Sequence, residues 1–156
     1  MPSIEDGTLW IMDQLYGIQE LPPEEDYETF TKAVLICAKG DGTISPEERA
    51  WFAGRTAAYQ DIKSYELATS YAGDDDLQKV LAGSSNVASR KGRLITIYVA
   101  IQACSSDGEY HPGEQQKIHQ MAALLGVEES VVRELEQLSV EEAEMRKKRI
   151  AIFSQS

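Results

Sequence analysis

The chain is poor in the residues and runs that announce most functions. Cysteine occurs twice in 156 residues, as Cys37 and Cys104, in no Cys-x-x-Cys or other zinc spacing. A disulfide scaffold and a zinc module are thereby excluded. Both thiols sit in apolar helical stretches and read as small buried hydrophobes of a reducing compartment. Histidine also occurs twice. No His-Glu-x-x-His helix, glycine-rich phosphate loop or nucleophile elbow is present, so the chain carries no motif for catalysis. No apolar run approaches the roughly 18 residues of a membrane-spanning helix. Met1 to Asp6 show neither the basic nor the apolar region of a secretory signal, and a cytoplasmic protein is expected. Strand-period segments and low-complexity tracts are missing as well.

Positive charge is scarce. Lys and Arg number 15 against 26 Asp and Glu, giving a formal charge of −11 and a pI near 4.6. Nucleic-acid affinity depends on counterion release by clustered Lys and Arg, so nucleic acid is not an expected partner. The one dense basic run, Lys147-Lys148-Arg149, suits the negative end of a last helix. Direct membrane insertion is likewise not expected. A metal cation or a protein partner fits this charge balance. Oligomeric state is not legible.

What is present is ordinary globular material, 42% hydrophobic and 26% charged. Residues 1–156 read as a single domain, long enough to bury roughly 68–70% of the surface of its unfolded chain. The spacing of apolar residues predicts helices throughout. Trp10, Ile11, Leu15 and Ile18 mark a first helix, stopped by Leu21-Pro22-Pro23. A second is predicted over 24–38, with Tyr27, Phe30, Val34 and Cys37 on its apolar stripe. A third starts at Pro46, and 62–71 gives a short fourth. Asp74 to Asp76 caps a helix carrying Leu77, Val80 and Leu81, and a Gly/Ser-rich break follows at 83–86. A long helix is predicted over 87–105. Another opens at Pro112 and ends at Gly126. Glu128 to Leu138 and a capping box at Ser139 and Glu142 predict two last helices. The expected fold is all-α, with about seven to nine helices and two pseudo-symmetric helix–turn–helix hairpins.

The hairpins are marked by a repeated pattern. Asp41-Gly42-Thr43-Ile44-Ser45-Pro46-Glu47-Glu48 returns 66 residues later, 41 matching 107, as Asp107-Gly108-Glu109-Tyr110-His111-Pro112-Gly113-Glu114. Asp, Gly, Pro and Glu keep one register. A structural account covers most of it: glycine ends a helix, Ser45 caps the next, proline occupies its first position, and Glu48 closes the capping box. The same letters match the second half of an EF-hand loop, Asp-Gly, five residues, Glu. The first half fails. Its ligand positions hold Cys37 and Lys39 in one copy and Ala103 and Ser105 in the other, which are not a hard-oxygen calcium set. What remains is a pair of carboxylate corners. Asp41 and Glu48 in one, and Asp107, His111 and Glu114 in the other, are the candidate ligands of a divalent metal ion, since imidazole with carboxylates suits such an ion. Glu47 and Glu109 crowd the same turns. His119, eight residues beyond His111, is set apart as an ordinary histidine.

These residues resemble the TerB-like tellurite-resistance family. The second copy carries Asp107-Gly108, Glu114, Ile118, Met121-Ala122 and Leu124-Leu125-Gly126-Val127. The first carries Ala38, Asp41-Gly42, Ile44 and Glu48, and the matches run from about Thr31 to Leu138. The resemblance implies an all-helical module with two Asp-Gly corners, a role in tellurite and general stress resistance, partners of membrane-associated or chaperone-like kind, and metal binding by Asp41, Glu48, Asp107 and Glu114. Lys39-Gly40 before Asp41 departs from the family pattern. The reading is a non-enzymatic, cation-binding stress-response protein, with a helical protein-interaction adaptor of purely structural corners as the alternative.

Overall fold

Helical spacing dominates the sequence, and the computed structural model follows it, describing residues 1–82 and 89–156. Eight α-helices and no strand occur among the described residues: α1 (Gly7–Tyr16), α2 (Glu24–Ala38), α3 (Pro46–Ala58), α4 (Ile62–Ser70), α5 (Leu77–Ala82), α6 (Arg90–Cys104), α7 (Pro112–Leu124) and α8 (Glu129–Phe153). A 3₁₀ turn, Lys39–Asp41, continues α2 into the first corner. The predicted Gly/Ser-rich break and the predicted start of α6 at residue 87 lie outside the described residues.

The centre is built by α2 and α6, the two helices that enter the corners. Residues Ala33 to Ala38 of α2 are all buried, as are Ile97 to Ile101 of α6. A helix apolar on every side belongs in the middle of a core. Around this pair pack α4, α5, α7 and α8, while α3 also meets α6 and carries Phe52, which is fully buried. Phe52 stacks at a tilt against Phe30 and Trp51, ring centroids 6.0 and 6.3 Å away. Burying such a side chain contributes about 1.5–3 kcal/mol. Cys37 and Cys104 are buried free thiols, as their apolar surroundings predict. Loss of hydration pushes the Cys37 thiol up to about 12 and Cys104 higher still, so neither is a thiolate near neutrality.

Two elements differ from the periodicity. The first helix ends at Gly17, well before the prolines. Gly17 takes a left-handed conformation, and its N–H caps Asp13 O. Ile18 therefore lies outside the helix, Trp10 and Leu15 are exposed, and Met12 is the one buried residue of α1. The two predicted last helices are one continuous helix of 25 residues. Ser139 lies inside it, because no glycine or proline interrupts the run and a Ser–Glu spacing alone does not open a helix. Asp76 behaves as expected, accepting from Lys79 N at 3.0 Å to cap α5.

Candidate metal centre

Each corner is made by local chemistry. Gly42 and Gly108 have φ of +107° and +90°, which a side chain rarely adopts. Their N–H groups bond back to Lys39 O and Ser105 O, the same register position in the two copies. The Asp before each glycine ties the turn. Asp41 Oδ1 accepts from Thr43 N at 3.3 Å, and Asp107 Oδ1 accepts from Glu109 N at 3.0 Å. The Glu of each copy closes the next helix. Glu48 Oε1 accepts from Ser45 N at 2.8 Å and Glu114 Oε1 from His111 N at 3.0 Å. The predicted cap at Ser45 is present, its Oγ accepting from Glu48 N at 3.1 Å.

Those bonds use one oxygen of each carboxylate, and the other oxygens meet between the corners. His111 Nε2 lies 3.9 Å from Asp41 Oδ2, 3.6 Å from Asp107 Oδ2 and 3.5 Å from Glu109 Oε2. Asp41, His111 and Glu114 each offer a ligand atom within 4.8 Å of the others. Asp107 is joined to this group through His111. Glu48 stands on the inner side, where it forms a second group with Cys104 and Glu114. All five candidate residues are thus brought to one place, in two layers that share Glu114.

The inner layer is closed to solvent. Glu48 and Glu114 are buried, and beyond the facing carboxyl Oε2 of each has no hydrogen-bond partner. The two carboxyl groups touch, so they must share a proton or a cation; two bare carboxylates in this setting would repel strongly. Burial first, then the hydrogen bond to Glu48, pushes the Glu114 carboxyl up to about 9. Burial and the facing carboxyl thus favour the protonated form of Glu114 in the apo protein.

Backbone contact sets the spacing of the layers. A Cβ added to Gly40 would lie 2.4 Å from Gly113 O, and one added to Gly113 would lie 2.3 Å from Gly40 O. The 3₁₀ turn of the first corner rests directly on the first turn of α7. Sequence reasoning took Gly40 only as part of a departure from the family pattern and gave Gly113 no role. A signal existed, since glycine in a first helical turn, where the other copy has Glu47, has no local benefit and points to close approach. Cys104 was read as core alone, yet its sulfur borders the buried pair. Lys39, which would repel an ion at an EF-hand position, pairs with Asp74. His119 lies apart, as expected, its Nε2 3.2 Å from Glu136 Oε1.

Over 100% of its length the chain is similar, at 36% identity and a TM-score of 0.85, to the crystal structure of a tellurite resistance protein from Nostoc punctiforme PCC 73102, covering 98% of that protein. The chain belongs to the tellurite-resistance, TerB-like family. No protein-family model matches it, and no curated protein does. No helix among the described residues is long and apolar enough to cross a membrane.

Proposed function

We propose that this protein is a non-enzymatic, cytoplasmic member of its family that binds a divalent cation between its two corners. The tellurite resistance named for the similar cyanobacterial protein is the physiological setting we propose for it, with stress response as the wider one. One observation carries the cation reading. Two corners far apart in sequence aim their second Asp oxygens at a single imidazole, in front of a buried glutamate pair whose second oxygens have no hydrogen-bond partner beyond each other. Asp41, Asp107, His111 and Glu114 would hold the ion, with Glu48 behind them. Carboxylate oxygens and one imidazole nitrogen suit Mn²⁺ or Zn²⁺ better than a site of oxygens alone would. A bound ion supplies positive charge where the apo protein keeps a proton, and loading must release that proton.

The experiment is a titration of the full chain with Mn²⁺, Zn²⁺, Ca²⁺ and Mg²⁺, one at a time, by calorimetry and by amide NMR with the diamagnetic ions. Saturable heat and shifts centred on Gly42 and Gly108 are expected, weakened by Asp107→Asn and Glu114→Gln. No response to any ion at millimolar concentration refutes the reading. The adaptor alternative draws on the four backbone bonds described above, since each carboxylate already holds a turn or a helix start. It would stand if the ions fail and both hairpins keep their stability.

A further inference from the structure

A cavity of about 530 Å³ lies at the other end of α6, away from the corners. It opens between α1 with its following arm, residues 17–23, and the body formed by α2, α3 and α6. Its size falls within the usual range for small-molecule sites. Met12, Leu21, Phe30 and Ile95 supply apolar wall. Tyr27 and Tyr59 also line it, and loss of hydration raises both phenols. The outer wall is lightly built. Met12 is the one buried residue of α1, and Lys91 Nζ ties the arm to α6 by donating to Gly17 O at 2.8 Å.

Three features of this cavity are unlike a packing fault. Its floor is polar: Thr31, Thr56 and Ser64 are all buried there. Ser64 Oγ has no hydrogen-bond partner, though a buried hydroxyl normally finds one. Two cations, Arg55 and Lys91, line it in a chain of charge −11, and neither forms an ion pair with a carboxylate among the described residues. Arg55 is held instead by aromatic faces, 4.9 Å from the Tyr59 centroid, 5.4 Å from Phe30 and 5.9 Å from Phe52. That arrangement fixes a guanidinium, whose Nη2 also donates to Tyr16 Oη at 3.4 Å, and leaves its remaining donors for a planar anion. The acidic lining residues do not fill this role. Asp61 accepts from Ser64 N at 3.1 Å to cap α4, and Glu20 is exposed at the rim.

We propose that this cavity binds a small amphipathic carboxylate, its apolar body against Met12, Phe30 and Ile95 and its carboxylate on Arg55, with Ser64 Oγ as a further polar contact. The site is distinct from the cation centre and does not depend on it.

The test titrates the full, chelator-treated chain with decanoate, decanol and decyltrimethylammonium below their micellar concentrations, read by calorimetry and amide NMR. Decanoate is expected to saturate one site, shifting Gly17 and Gly92 while leaving Gly42 and Gly108 in place. Arg55→Met should weaken decanoate at least tenfold without changing decanol. Ser64→Ala, which leaves the backbone cap of α4 intact, should weaken decanoate several-fold and keeps the test available if Arg55→Met does not fold. The proposal is overturned if decanoate shows no saturable site, if decanol binds as tightly as decanoate, or if the folded variants bind decanoate like the parent chain.

Discussion

Glu114 spends Oε1 on the N–H of His111 and turns Oε2 toward Glu48, so a change at this residue acts on a helix start and a buried pair together. Glu114→Gln can keep both contacts, because the amide oxygen accepts from His111 and the amide nitrogen can donate to Glu48. Thermal melts at neutral pH should show little loss of apo stability and no stabilisation by added metal. Glu114→Ala removes the cap and strands Glu48, and should cost about 2–4 kcal/mol in chemical denaturation. The sign of the pH effect follows from the proton. Glu114 holds it more tightly folded than unfolded, so its contribution to stability is full below the ordinary value of 4.5 and is lost as pH rises through about 9. Denaturation series between those limits should slope downward in the parent chain and lose that component in Glu114→Gln. Metal affinity should run the opposite way, rising with pH as the competing proton leaves. Gly113→Ala is expected to cost about 1–3 kcal/mol, because a methyl group cannot fit against Gly40 O without parting the corners. Metal binding should weaken with it.

At the scale of elements, α8 offers the clearest check. If Ser139 opened a separate helix, Ser139→Ala would lose a cap worth about 1 kcal/mol. Inside one continuous helix the same change should leave stability unchanged or raise it by a few tenths of a kcal/mol, since alanine is the better helix former there. Equilibrium denaturation distinguishes the two. The corners were legible in the sequence because Asp, Gly, Pro and Glu act on the backbone within a few residues of themselves. The bounds of α2, the starts of α3 and α7, and the Asp76 cap followed for that reason. The same local rules could not show that the unused oxygens of Asp41 and Asp107 converge on His111, since that depends on how α2 and α6 pack. The first helix was carried too far because Ile18 keeps the helical spacing, while Gly17 turns left-handed and ends the helix before it. The cavity was not legible at all. Its walls come from residues in α1, the 17–23 arm, α2, α3, α4 and α6 that share no pattern along the chain.

For the whole molecule, the two hairpins meet at a point where backbone, proton and proposed cation all bear on the same few atoms. A cation bound to the folded chain alone should raise its stability by about 2.7 kcal/mol at a hundred times the dissociation constant. The gain should disappear in Asp107→Asn melts. Beyond this junction, every residue of α8 from Val140 to Phe153 is exposed. That exposed stretch of α8 rises about 21 Å along the helix axis. The molecule therefore carries a stiff spar and should tumble anisotropically. Amide relaxation rates should depend on the angle each bond makes with that long axis, and deletion of residues 143–156 should reduce the anisotropy.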